Sequence, residues 1–159
     1  MAEKNRSALL DAAAKGDFVA VLTAIQTGED VNITDRDGRT AMHIAAAGGH
    51  ESLVRSLIAA DARVDPVDKQ GMTPLHFASR EHALAVADVL LKSGAKVDAQ
   101  DAFGNTPLWR ATFASRGRGE MITLLLGSGA NADLQNASGV SPRALARSIA
   151  NYDLAGFFL

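Results

Sequence analysis

The stretch Gly71-Met72-Thr73-Pro74-Leu75-His76-Phe77-Ala78 decides the fold, because the chain repeats it. Gly38-Arg39-Thr40-Ala41-Met42-His43-Ile44-Ala45 stands 33 residues before it. Gly104-Asn105-Thr106-Pro107-Leu108-Trp109-Arg110-Ala111 stands 33 residues after it, and Gly139-Val140-Ser141-Pro142 opens a further copy 35 residues on. A fixed period of this length signals supersecondary units stacked into a solenoid. Each copy writes a local structure. Gly71 permits the positive φ of a tight turn. Thr73 caps a helix, and Pro74 suits its first position, where a missing N–H costs nothing. Leu75 and Ala78, three apart, share its buried face.

Outward from that stretch, the outer helices repeat as well. Leu53, Val54, Leu57 and Ile58 are matched by Val86, Ala87, Leu90 and Leu91, then by Met121, Ile122, Leu125 and Leu126. Leu154, Ala155, Phe158 and Leu159 carry the same spacing, which predicts a fifth outer helix. The first unit is degenerate. Ser7 replaces Thr as the cap, Leu9, Ala12 and Ala13 follow, and Phe18, Val21, Leu22 and Ile25 read as a second buried face. Gly28, Gly94 and Gly129 close outer helices, whereas Asp61 stands at that place in the second unit and is expected at positive φ. Arg143 replaces Leu75 and Leu108, as suits a last layer. The array is therefore expected to be complete and capped, without room for an effector domain.

Composition bounds the function. The chain has 159 residues, 47% of them hydrophobic, enough for one domain with a core. A net charge of −2 gives no general case for nucleic acid or an acidic membrane. The absence of cysteine excludes disulfides, thiolate metal sites and a thiol nucleophile. Residues 1–6 lead into an amphipathic segment broken by Lys15, Gly16 and Asp17, with no apolar signal region or membrane span. The expected location is the cytoplasm.

The T-P-L-H-x-A motif on this period resembles the ankyrin repeat, over nearly the whole chain. The resemblance implies an all-α repeat solenoid of about five repeats, near 7–34, 35–67, 68–100, 101–135 and 136–159, in a single domain. Helix pairs, projecting β-hairpin turns and a concave binding face are expected. His43 and His76 hold the family's usual histidine place, where imidazole braces backbone rather than binding metal. Asp35, Asp68 and Asp101 recur once per turn, where Asp bonds nearby N–H groups. No catalytic triad, phosphate loop, paired-carboxylate cleft or converging metal set can be assembled; Gly117-Arg118-Gly119 is too short for a phosphate loop. No enzyme activity, cofactor or metal is expected.

The family's binding positions map onto Arg36, Asp37 and Arg39 in the second repeat, Lys69, Gln70, Met72, Arg80 and Glu81 in the third, and Phe103, Asn105 and Phe113 in the fourth. The fourth repeat departs most from the period. Two extra residues lie between its helices, Trp109 replaces His, and Arg110 replaces the apolar Ile44 and Phe77. Trp109 and Phe113 share a helix face. Arg110, Arg116 and Arg118 are expected to carry solvent-accessible heads suited to an acidic protein surface. The expected partner is another protein, bound by a monomer, with no nucleic acid or membrane. Trp109-Arg110-Ala111-x-Phe113 and Ile149-Ala150-Asn151-Tyr152-Asp153 look like small bacterial ankyrin proteins, some of which are immunity proteins that occlude a toxin. A structural adaptor joining two proteins is the alternative.

Overall fold

The computed structural model describes residues 7–149 and 151–159. Residues 1–6, the lead-in above, and Ala150, within the second run compared with bacterial proteins, lie outside the described residues. The helices come in pairs: α1 (Ala8–Lys15) with α2 (Phe18–Gln26), α3 (Ala41–Ala47) with α4 (Glu51–Ala59), α5 (Pro74–Arg80) with α6 (Leu84–Lys92), and α7 (Pro107–Phe113) with α8 (Glu120–Gly127). Helix α9 (Pro142–Ser148) is followed by a short 3-10 turn, Ala155–Phe158.

Each inner helix starts where its cap residue stands. Ser7, Thr106 and Ser141 accept from the N–H groups of Leu10, Trp109 and Ala144. Thr40 and Thr73 instead share reciprocal capping boxes with His43 and His76. Inner helices α1, α3, α5, α7 and α9 pack side by side, and α2, α4, α6 and α8 form a second row behind them. Between the rows, Leu9, Leu53, Leu57, Leu75, Leu90, Leu108, Met121 and Leu125 are buried. Such a side chain contributes about 1.5–3 kcal/mol on burial. Each layer touches mainly its neighbours, so stability is distributed along the row.

The fingers between pairs contain no strand among the described residues; the expected β-hairpins are tight turns. Asp68 N–H donates to the Met72 carbonyl, 3.1 Å, and the Asp68 Oδ1 accepts from Gln70 and Met72 N–H, both 2.9 Å. Asp35, Asp101 and Asn136 build the same knot. The side-chain oxygen thus satisfies donors that a strand partner would otherwise take. One further bond joins each finger to the next: Lys69 N–H to Asp37 O, Ala102 to Gln70 and Ala137 to Phe103, at 2.8–2.9 Å. Gly71 and Gly104 stand at these crossings with φ of 72° and 73°. A Cβ on Gly104 would lie 2.8 Å from the Ala137 nitrogen, so both the turn and the close approach require glycine there.

Two expectations about packing are corrected, and one about the backbone is met. The fifth outer helix does not form: Ile149 turns extended after α9, and Gly156 sits in the middle of the four-residue 3-10 turn, where an α-helix is disfavoured. Leu154 and Phe158 are buried, but Leu159 is fully exposed. In the first pair, Val21 and Ala24 face the core, whereas Phe18, at the first position of α2, is exposed. Asp61 does adopt positive φ, 60°, and His82 and Arg116 join it at 56° and 51°.

Candidate protein-binding site in the fourth repeat

The histidine seam sets the background for the site. His43 Nδ1 accepts from Thr40 N–H at 3.1 Å, and its Nε2 donates to the Met72 carbonyl of the next repeat at 3.0 Å. His76 repeats both contacts, with Thr73 N–H at 3.1 Å and Asn105 O at 2.9 Å. Burial lowers the pKa of both, so the neutral ring with its proton on Nε2 is the form that fits. Each histidine therefore caps its own helix and ties it to the following finger. Among the described residues, no three His, Asp or Glu groups converge as metal ligands.

At Trp109 this seam stops. The indole cannot accept at the cap, and Thr106 Oγ1 alone takes the Trp109 N–H, 3.1 Å. Trp109 Nε1 is buried without a hydrogen-bond partner among the described residues. The ring instead stacks on Phe113, centroids 5.3 Å apart and planes 12° apart, and the Arg110 guanidinium lies 5.9 Å from its centroid. Phe113 occupies the outer side of that stack and is 66% exposed.

Arg110 is not free, contrary to expectation. Its Nε donates to Asp101 Oδ2 at 2.9 Å, its Nη2 joins the same oxygen, and its side chain is only 20% exposed. The Asp101 side chain is wholly buried, so a guanidinium beside it is what keeps a carboxylate there tolerable. Arg110 is thus a structural residue that also lines the site. In the third repeat the equivalent oxygen, on Asp68, faces Arg39 at 3.9 Å.

The inter-helix turn runs over 114–119, against three residues after α3 and α5. It alternates. Arg116 and Arg118 are exposed, while Gly117 and Gly119 lie against the rings of Tyr152 and Phe157. A Cβ on Gly119 would stand 2.1 Å from the Phe157 ring. Between the turn and the ends of α5 and α7 lies a cleft of about 510 Å³, lined by Arg80, Glu81, Arg110, Phe113, Arg116 and Arg118. His82 lies beneath it, its pKa lowered by burial and then by Arg118.

A family model of three ankyrin repeats matches residues 9–101, and a single ankyrin repeat matches residues 103–137. The chain belongs to the ankyrin-repeat family. Comparison with curated proteins finds no match. Ankyrin repeats generally mediate protein–protein interaction, and among the described residues no helix is long and apolar enough to cross a membrane.

Within this ankyrin array the residues expected to bind fall into three groups. Arg80, Glu81, Arg110, Phe113, Arg116 and Arg118 meet in the cleft, with Trp109 behind Phe113. Arg36, Asp37, Lys69, Gln70 and Phe103 are exposed on the fingers, and Arg39 lies half-buried with its guanidinium 5.6 Å from the Phe77 ring. Met72 and Asn105 are buried and leave the candidate surface. They end their fingers just before the cap, where the carbonyl receives the preceding histidine and the side chain turns inward. Sequence reasoning missed Phe77 as a platform: Arg80 lies 5.0 Å from its centroid on this face, and His43 meets its edge. It also missed Tyr152 and Phe157, whose only sequence signal is the glycine alternation in the turn they cover.

Proposed function

We propose that this ankyrin-repeat protein is a non-enzymatic binder that occludes a protein partner, with the fourth repeat at the centre of the contact. One observation carries the reading: exposed Phe113, backed by Trp109, stands among four arginines at a single cleft. Aromatic anchors beside arginine are the composition of interface hot spots. The exposed fingers around Arg36, Lys69 and Phe103 supply the rest of the contact. The engagement of His43 and His76 in the scaffold supports a role without catalysis.

A binder of this kind acts through the binding itself. Its likeness to small bacterial ankyrin proteins gives that act a form, that of a cytoplasmic monomer neutralising a partner such as a toxin, as an immunity protein does. An adaptor would need a second surface, and exposed Phe18 and Val19 on α2 are the apolar groups that favour one. Capture of the partner from the native host, followed by an activity assay on it, tests the proposal. Inhibition of the captured protein is the expected result. Capture of two proteins at once, both fully active, would replace the inhibitor with the adaptor. Failure to capture any protein would contradict both.

A further inference from the structure

We propose that the cleft between the ends of α5 and α7 and the 114–119 turn receives an acidic segment of the protein partner. Carboxylates of that segment meet Arg116 and Arg118, and an apolar side chain lies on Phe113. This deepens the protein-binding reading, on which it rests, by naming what the surface recognises.

The charges at the cleft are not equivalent. Arg80 is held by Glu81 at 2.8 Å, and Arg110 by buried Asp101. Arg116 and Arg118 have no acidic partner among the described residues; Arg118 Nε donates only to the Ser115 carbonyl, 3.2 Å. Two guanidinium charges therefore remain uncompensated in a chain whose net charge is −2. A planar guanidinium fits a carboxylate with two parallel hydrogen bonds.

Backbone geometry points the same way. Arg116 sits at φ 51°, where an L side chain is strained and glycine is easy. Its side chain makes no hydrogen bond or ion pair within the described residues that would offset the strain. The same left-handed residue recurs as Gly49 and His82 in the turns after α3 and α5, so the fourth turn keeps the bend of the scaffold and adds an unpaired guanidinium to it. The turn is also held in place from its other side, because Gly117 and Gly119 admit the rings of Tyr152 and Phe157. A preset loop loses less conformational freedom on binding.

The size and composition of the cleft select the occupant. A space of about 510 Å³ with an exposed aromatic wall exceeds what one small anion fills. Two uncompensated charges are too few to make a track for a phosphate backbone, whose binding grows with the number of neutralised phosphates. An acidic and apolar peptide matches both the charge and the wall.

The test uses the full chain and a fluorescein-labelled decapeptide of alternating Glu and Leu. The same peptide with Gln for Glu, inorganic phosphate and a twenty-nucleotide oligo-dT serve as competing probes. Saturable binding of the Glu peptide is expected, weakened at least tenfold by Arg116→Gly or Arg118→Gln and by raised salt. Arg116→Gly suits the positive φ, so the fold is retained, and circular dichroism verifies it. No saturable binding, equal binding of the Gln peptide, or unchanged affinity in both variants would overturn the proposal. Stronger binding of oligo-dT, or full displacement by millimolar phosphate, would assign the cleft to phosphate instead. The broader reading is scored separately: a captured partner held equally by wild type and both variants leaves protein binding standing and removes this cleft from it.

Discussion

The third and fourth repeats share a backbone plan and differ in what one position does. In the third, His76 is fully buried, caps α5 and reaches the next finger through the Asn105 carbonyl. In the fourth, Trp109 makes neither contact and turns its ring to Phe113. The junction to the fifth repeat is carried elsewhere, by Asn136 Nδ2 to Asn105 Oδ1 at 2.8 Å and by Ala137 N–H to Phe103 O. A scaffold position has been released, and the side chain placed there supports an exposed aromatic surface.

The largest effect that separates the two repeats concerns this position. His76→Ala leaves the Thr73 N–H without its acceptor, takes from the Asn105 carbonyl one of its two donors, the other being Asp101 N–H, and opens a cavity; it should destabilise by about 3 kcal/mol. Trp109→Ala should cost about half as much, because no buried hydrogen bond is lost. Urea unfolding of both variants measures the difference, and a Trp109 loss equal to or greater than the His76 loss would remove the contrast.

A second comparison isolates the finger crossings. Gly104 and Gly139 share a φ of 73–74°, yet only Gly104 faces another finger. Alanine should cost about 1 kcal/mol at Gly139 from φ alone and about 2 kcal/mol at Gly104. Equal losses would mean that the fingers part without penalty.

Acid provides a third. Burial lowers the folded-state pKa of His43 and His76 below 6.5, so the unfolded chain binds more protons as pH falls through that value. The stability these rings contribute is complete above about pH 6.5 and declines below it. Chemical denaturation between pH 7.5 and 5 should show the decline, and His43→Gln with His76→Gln should flatten it. An unchanged slope in the double variant would place the titrating group elsewhere, His82 being the next candidate.

The smallest effect lies outside both repeats. Asp61→Gly should stabilise by about 0.5–1 kcal/mol by relieving its positive φ, read as a raised melting temperature. A lowered melting temperature would mean that Asp61 contributes a contact of greater worth.

The period made the helix starts legible, since Ser7, Thr40, Thr73, Thr106 and Ser141 stand at the helix starts, and Asp61 adopts the expected left-handed φ. The extra length between α7 and α8 was equally plain from spacing. What spacing could not carry was the side chains' choice of partner. Arg110 looked free because its counter-charge, Asp101, is nine residues away across the finger. Met72 and Asn105 looked exposed because a finger reads as surface, yet its last residue faces the core. The missing fifth outer helix was masked by correct apolar spacing, which Leu154 and Phe158 satisfy from a 3-10 turn as well.

The central claim is that the fourth repeat, rather than the earlier fingers, supplies most of the binding energy. Titration of the captured partner against Phe113→Ala, Arg36→Ala and Lys69→Ala, with folding verified by circular dichroism, tests it most directly. All three side chains are exposed, so none of these changes disturbs the core. Loss of the Phe113 ring should weaken binding at least tenfold, about 1.4 kcal/mol or more, with smaller losses at the two finger positions. Near-wild-type affinity for Phe113→Ala beside a tenfold loss at Arg36 or Lys69 would contradict the account and move the binding centre to the second and third fingers.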